Sequence, residues 1–255
     1  MDTWLEVAAT LENEINEVMD QAYPHDWDEN FLSRQLLRSI QGCLQTRPYV
    51  RGTERVRISM ECYKLTGRRE ATFGDIGLLI SVIHKAAKPV TGAAYLEAKR
   101  RRPHTTQFPE FRQAQLKRIL KAAPKAQLLL YDYEPSTQFV GPLGYHPWQW
   151  GLSPLIASHV SRLPCANVRV VPIDTALAAG VKDTRLYPFG TTLSLQLIAR
   201  YFCGLDLEFA PACVESLKGN GALLPKRLAV IRVVEGGGQV DGPEINPNIF
   251  VREDD

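Results

Sequence analysis

The chain has no long hydrophobic segment. Its longest apolar run, 76–83, has eight residues and includes Ser81, whereas a membrane-spanning helix needs roughly 18. The first six residues, Met-Asp-Thr-Trp-Leu-Glu, are polar and acidic, which is not typical of a secretory signal peptide. We therefore expect a protein that neither crosses nor enters a membrane.

Cysteine is scarce and unpatterned. The five cysteines include no Cys-x-x-Cys pair, and the histidines have no metal-ligand spacing. This argues against a zinc site and indicates free thiols in a reducing, cytoplasmic location. The glycines 236–238 are followed by no Lys-Ser/Thr pair, and the chain has no Gly-x-Ser-x-Gly elbow, so the corresponding nucleotide-binding and hydrolase motifs are excluded.

The remaining composition is that of an ordinary globular protein. Hydrophobic residues make up 45% of the 255 residues and charged residues 23%, which are typical proportions. This length is sufficient for a sizeable core in one large domain or two small ones.

Positive charge is concentrated in one part of the chain. The segment 99–125 holds nine basic residues and one acidic residue, Glu110, although the whole chain has a net charge of only +2. A polyanion would be attracted to this segment. The alternative is a solvated basic helix face without a ligand.

Hydrophobic periodicity predicts a mixed α/β fold. Helices are expected at 3–19, from Glu29 to Arg47, at 108–122 and at 194–202. Strands are expected at 56–63, after Asp75, around Glu97, and at 127–133, 167–173 and 227–234. The strand 127–133 should lie parallel to the Glu97 strand, because a crossover helix joins the two. The tail from Gly236 is rich in Gly, Pro and Asn, which predicts loop structure.

Acidic residues stand on two of these predicted strands. Asp75 opens one strand, and Glu97 and Lys99 follow on the next. Alternation puts Tyr95, Glu97 and Lys99 on one face of their strand. Two converging carboxylates suit Mg²⁺, and the backbone carbonyl of Ala98 is available as a further ligand. Phosphodiester hydrolysis needs such a metal to activate water and to balance charge on the phosphate, while Lys99 could orient the water or stabilise the transition state.

The pattern Asp75, then Glu97-Ala98-Lys99, in the order helix, strand, strand, strand, helix, strand, resembles the PD-(D/E)XK or restriction-endonuclease-like nuclease superfamily. The resemblance covers roughly residues 29–134. It implies a central mixed β-sheet flanked by helices, Asp75 and Glu97 as ligands of Mg²⁺ or Mn²⁺, and Lys99 as the catalytic lysine. It does not identify a subfamily.

The resemblance also implies further site residues. An additional acid often comes from the helix before the first strand; Glu29 matches this position, and Glu61 on the first strand is the rival. A glutamine often lies on the helix after the lysine strand, which corresponds to Gln115 or Gln113. Gly74 stands where the superfamily has proline, a common variation.

The sequence therefore predicts a metal-dependent nuclease. Its expected arrangement is an N-terminal helix at 1–28, a nuclease core at 29–140 and a C-terminal extension at 141–255 that packs on the core. The expected substrate is DNA, with RNA left open. The residues expected to contact the nucleic-acid backbone are Arg100, Arg101, Arg102, Gln115, Lys117 and Arg118. Such a nuclease would act as a subunit of a bacterial defence or DNA-processing system, with a second copy or a protein such as an ATPase subunit as its partner. The alternative is an inactive nuclease-like scaffold that binds nucleic acid or a protein partner.

Overall fold

The structure is a computed structural model that describes residues 2–66, 73–84, 88–109, 111–136, 166–236 and 242–253. Over these residues, ten strands form one mixed sheet, and helices pack on both of its faces. The mixed α/β architecture predicted from the sequence is confirmed.

The strands run in the spatial order β1-β2-β3-β9-β4-β5-β6-β7-β8, and β10 pairs with β3 outside this path. They are β1 (Asp2–Thr3), β2 (Tyr49–Arg51), β3 (Glu54–Leu65), β4 (Ile76–His84), β5 (Val90–Arg100), β6 (Gln127–Ser136), β7 (Ala166–Pro172), β8 (Thr191–Thr192), β9 (Arg227–Glu235) and β10 (Phe250–Arg252). The β5–β6 and β4–β9 pairs are parallel, so the predicted parallel arrangement of β5 and β6 is confirmed.

The helices lie between these strands. They are α1 (Trp4–Ala22), α2 (Glu29–Thr46), α3 (Gln113–Ala122), α4 (Ile173–Ala179), α5 (Leu193–Leu195) and α6 (Pro211–Leu217). A π-helix over Gln196–Arg200 and a 3₁₀ turn over Tyr201–Cys203 continue α5. No helix in the described ranges is long and apolar enough to span a bilayer.

The start of α2 follows from its sequence. Asp28 is the N-cap, and its Oδ1 accepts hydrogen bonds from the backbone N–H groups of Asn30 at 2.9 Å and Phe31 at 3.3 Å. This satisfies two of the backbone donors that a helix start leaves unpaired. Glu29 is consequently the first residue of the helix, as the sequence predicts.

The predicted helix over 108–122 is too long, because α3 begins only at Gln113. Phe108 precedes Pro109, and a residue before proline disfavours helical backbone. The Phe108 side chain is buried and its N–H donates to the carbonyl of Lys182 at 2.8 Å. Tertiary contacts therefore hold this segment outside the helix.

The C-terminal part of the chain contributes to the middle of the sheet. The strand β9 lies between β3 and β4, antiparallel to the first and parallel to the second. The tail is not entirely loop either, because β10 pairs with β3. The strands of residues 166–236 and 242–253 are therefore part of the same sheet as the predicted core, and a division at residue 140 would separate paired strands. The part of the predicted extension at 141–165 lies outside the described residues.

Each face of the sheet has its own hydrophobic core. On one face, α1, α2 and the helical segment 193–203 cover side chains such as Leu96, Ala98 and Ile231. On the other face, α3, α4 and α6 cover Tyr95 and Leu128, among others. Because Glu97 and Lys99 alternate with Leu96 and Ala98, they point to the α3 face.

Candidate active site

Asp75 is held in place by backbone contacts on both sides. Its N–H donates to the carbonyl of Leu96 at 3.1 Å, and its carbonyl accepts from the N–H of Arg227 at 3.0 Å. Its side-chain Oδ2 accepts from the N–H of Ala98 at 2.9 Å. The Asp75 carboxylate therefore points across the open end of β4 toward β5.

Gly74 allows this arrangement. Its φ is +73°, and a Cβ atom there would lie 3.3 Å from the carbonyl oxygen of Leu96. Proline fixes φ near −65° and could not adopt this backbone conformation. The presence of glycine at position 74 thus has a local backbone cause.

Glu97 and Lys99 are both buried, with 3% and 4% of their surfaces exposed. Lys99 Nζ donates to Glu97 Oε1 at 2.7 Å, and Gln115 Nε2 donates to the same oxygen at 2.7 Å. Tyr95, on the same strand face, lies deeper: its hydroxyl donates to the carbonyl of Cys213 at 2.9 Å, so it belongs to the core beneath the site.

The titration behaviour of the pair reflects this burial. Burial, and next repulsion from Asp75, raise the pKa of Glu97 above its ordinary range, against the attraction of Lys99. Burial lowers the pKa of Lys99, but the combined attraction of Glu97, Glu29 and Asp75 outweighs it, so that pKa is raised. Lys99 therefore stays charged, and the two carboxylates repel each other in a poorly hydrated site.

The structure separates the two rivals for the additional acid. Glu29 lines the same cleft as Asp75 and Glu97, and its Oε1 accepts from the N–H of Arg100 at 3.1 Å. Glu61 instead pairs with Arg232 at 3.3 Å and with Arg252 at 3.4 Å, on β3. Glu29 is therefore the acid brought to the site, and Glu61 is not. Of the two candidate glutamines, Gln115 contacts Glu97, whereas Gln113 is exposed.

These side chains share one cleft with a volume of about 180 Å³, called the Asp75 cleft below. It is lined by Glu29, Phe73, Gly74, Asp75, Glu97, Lys99, Arg112, Gln115, Arg118, Ile119 and Lys226. Three carboxylates face four cations here.

Lys226 is the residue of the cleft that sequence reasoning missed. Its Nζ lies 2.6 Å from Asp75 Oδ1, although the two residues are far apart in the chain. Burial lowers the pKa of Lys226, but attraction from Asp75, Glu29 and Glu97 raises it more. Its position depends on the insertion of β9 beside β4, which no local sequence signal announces.

The predicted nucleic-acid contacts lie in different surroundings. Arg118 lines the cleft, as does Arg112. Lys117 and Arg102 are exposed on the surface. Arg100 is half-buried and its backbone is bound to Glu29.

Arg101 belongs to the packing of the protein. It is buried, and its Nη1 lies 2.9 Å from Asp132 and 2.8 Å from Glu134. Its guanidinium stacks over the Tyr133 ring at 4.7 Å, and its carbonyl accepts from the Trp27 indole at 2.8 Å. The Arg101 guanidinium, which was expected to face nucleic acid, is therefore bound to other groups of the protein.

The cleft offers oxygen ligands for a divalent cation. Within the described ranges, no group of three or more His, Cys, Asp or Glu side chains is close enough to hold a metal. A site here would therefore use Asp75, Glu97 and water, which suits Mg²⁺ because it keeps several waters. The Ala98 N–H donates to Asp75 Oδ2, and the Ala98 carbonyl stays the predicted third ligand. Repulsion between the two carboxylates is the condition that a bound cation would relieve.

Comparison of the chain with protein-family models, with curated protein sequences and with solved structures found no match in any of the three.

Proposed function

We propose that the protein is a Mg²⁺- or Mn²⁺-dependent nuclease that hydrolyses phosphodiester bonds in DNA. The observation that carries this proposal is the convergence of Asp75, Glu97 and Lys99 in one cleft, with Gln115 bound to Glu97. Four side chains from three separate segments meet there, in roles that phosphodiester hydrolysis requires. Under this proposal, α2, β3–β6 and α3 form a restriction-endonuclease-like core, into which β9 is inserted.

The residues of the cleft have distinct roles in this reaction. Asp75, Glu97 and the Ala98 carbonyl would hold the cation, which when bound supplies Lewis acidity and a water of lowered pKa. Gln115 and the Ala98 N–H fix the two carboxylates in their orientation. Lys99 retains its charge in the buried site, so it can stabilise negative charge that develops on the phosphate. Arg112 and Arg118 extend positive charge from the cleft mouth and would bind the backbone.

A direct assay tests the proposal. Plasmid DNA, single-stranded DNA and RNA are incubated with the protein and Mg²⁺ or Mn²⁺, and the assay is repeated with Glu97→Ala and Lys99→Ala. We expect DNA cleavage that both substitutions abolish and that chelation of the metal stops. Glu61→Ala is the matched control, because it removes the rival acid outside the cleft and should leave cleavage unchanged. Cleavage that survives in both Glu97→Ala and Lys99→Ala contradicts the site assignment.

The second candidate is an inactive scaffold that binds nucleic acid or a protein partner. Two observations favour it. No group of three or more His, Cys, Asp or Glu side chains in the described ranges is close enough to hold a metal, and Asp75 is already paired with Lys226. Absence of both cleavage and metal binding in the wild-type protein supports this candidate. DNA binding that persists in excess chelator then identifies nucleic acid as the ligand, and light scattering tests for self-association.

A further inference from the structure

The backbone of Lys226 is fixed beside the Asp75 cleft, whereas its side chain is partly exposed. Its carbonyl accepts from the Leu65 N–H at 3.1 Å, and the next residue, Arg227, donates to the Asp75 carbonyl at 3.0 Å. These contacts fix the Lys226 backbone between β3 and β4. The side chain, by contrast, is 46% exposed, so its ammonium group can move without disturbing the sheet.

The two lysines of the cleft differ in their freedom. Lys99 pairs with Glu97 and its side chain is 5% exposed, whereas Lys226 pairs with Asp75 from the solvent side. A buried lysine that forms an ion pair with a neighbouring carboxylate has little room to move. An exposed lysine on a flexible four-carbon stem can change its partner.

The ion pair at Asp75 conflicts with a metal ligand at the same position. An ammonium nitrogen 2.6 Å from Asp75 Oδ1 occupies the space where a cation would approach that oxygen. Two cations in contact with one carboxylate oxygen repel each other. Lys226 must therefore leave Asp75 Oδ1 when a divalent cation binds to that oxygen, and a phosphate bound beside the cation would be a new partner for its ammonium group.

On the basis of the proposed function, we infer that Lys226 is a substrate-binding residue that exchanges partners. It pairs with Asp75 before the cation binds, and contacts a non-bridging phosphate oxygen of the nucleic acid afterwards. The ammonium group thus stabilises the empty cleft, competes with the cation for Asp75, and adds one backbone contact to the complex. Lys99 retains its place beside Glu97 throughout.

The test compares Lys226→Ala with Lys226→Arg in the full chain. Calorimetric titration with Mn²⁺ alone should show tighter binding by Lys226→Ala, by roughly fivefold, because a partly exposed ion pair no longer competes. A residue that merely orients Asp75 predicts the opposite sign, since loss of an outer partner weakens metal binding about 10- to 100-fold. Lys218→Ala is the control: that lysine pairs with Glu215 at 2.7 Å, outside the cleft, and should change nothing.

A second measurement addresses the phosphate contact. Binding of a short DNA duplex is measured with Ca²⁺ in place of Mg²⁺ over a series of salt concentrations. Lys226→Ala should weaken binding and reduce the slope of log affinity against log salt by about 0.9, the value for one lost phosphate contact. Lys226→Arg keeps the charge and should retain the wild-type slope.

The outcomes separate this inference from the proposed function. If wild-type protein binds neither Mn²⁺ nor DNA, both fail together. If wild-type protein binds both, and Lys226→Ala binds Mn²⁺ no more tightly or keeps the wild-type salt slope, the partner exchange alone is wrong. Thermal unfolding of each variant verifies that the sheet is intact. If Lys226→Ala is unstable, Lys226→Gln, which removes the charge but keeps a polar side chain, should show the same tighter Mn²⁺ binding and the same reduced salt slope.

Discussion

The side-chain amide of Gln115 donates to Oε1 of Glu97 at 2.7 Å, which links α3 to the end of β5. The same oxygen accepts from Lys99. Because both donors converge on Oε1, they orient the Glu97 carboxylate in the cleft. The helix that carries the basic residues is thereby coupled to the predicted metal ligand.

Removal of this amide should weaken the metal site. We expect Gln115→Ala to lower Mn²⁺ affinity about 10- to 100-fold, the usual effect of losing a group that orients a metal ligand. Gln113→Ala is the control, because Gln113 lies on the same helix but is exposed. Calorimetry with Mn²⁺ measures both. Equal affinities for the two variants would show that Gln115 does not orient Glu97.

Arg101 and Arg102 are adjacent in sequence but should respond differently to substitution. Arg101→Ala leaves buried Asp132 without its ion-pair partner, which we expect to destabilise the fold by about 3–5 kcal/mol. Arg102 is exposed, so Arg102→Ala should leave stability within about 0.5 kcal/mol and lower DNA affinity. Urea unfolding and a DNA-binding assay distinguish the two. If Arg101→Ala loses DNA affinity without losing stability, Arg101 contacts DNA and does not stabilise the fold.

Glu12 makes stability depend on pH. It is fully buried on α1, its Oε2 accepts from Ser194, and its Oε1 has no hydrogen-bond partner among the residues described. Burial raises the pKa of Glu12 from 4.5 to about 7, despite hydrogen bonds from Ser194 and attraction from Arg169. The folded protein therefore binds this proton more tightly than the unfolded chain does.

The direction of the effect follows from linkage. Between pH 4.5 and about 7 the folded state holds a proton that the unfolded state has lost, so stability falls as the pH rises through this window. The loss from Glu12 is on the order of 3 kcal/mol and is complete above it. Glu12→Gln lacks this titration. Urea unfolding should show that the free energy of unfolding of Glu12→Gln rises relative to that of the wild type between pH 4.5 and 8. A difference between the two proteins that does not change with pH would contradict a buried, neutral Glu12.

A truncated chain should not fold. The fragment 1–140 contains the whole predicted nuclease core but lacks β9, the strand that separates β3 from β4 in the sheet. Without β9, β3 keeps only its short pairing with β2, and β4 keeps only its pairing with β5, so the sheet is divided in two. The side chains of Leu228, Val230 and Ile231 are also lost from the two cores. We expect circular dichroism and proteolysis to show an unfolded fragment. A cooperatively folded fragment would mean that the two parts are independent domains.

Local sequence signals predicted most helices and strands, because the start of a helix and the alternation of a strand depend on residues that are close in the chain. The start of α2 at Glu29 and the alternation on β5 are both set by neighbours in the chain, and both are present. The signals failed at Phe108, where tertiary contacts replace helix, and in the tail, where pairing with β3 makes a strand of a segment with loop composition.

The candidate site divides in the same way. The positions of Asp75, Glu97 and Lys99 relative to two strands were readable from the sequence, and strand alternation is sufficient to put Glu97 and Lys99 on one face. The approach of Asp75 to Ala98 depends in addition on the register between β4 and β5. The choice of Glu29 over Glu61, of Gln115 over Gln113, and the burial of Arg101 depended on packing between distant elements. So did the presence of Lys226, because strand order is set by long-range pairing, and only the insertion of β9 beside β4 brings its ammonium group to Asp75.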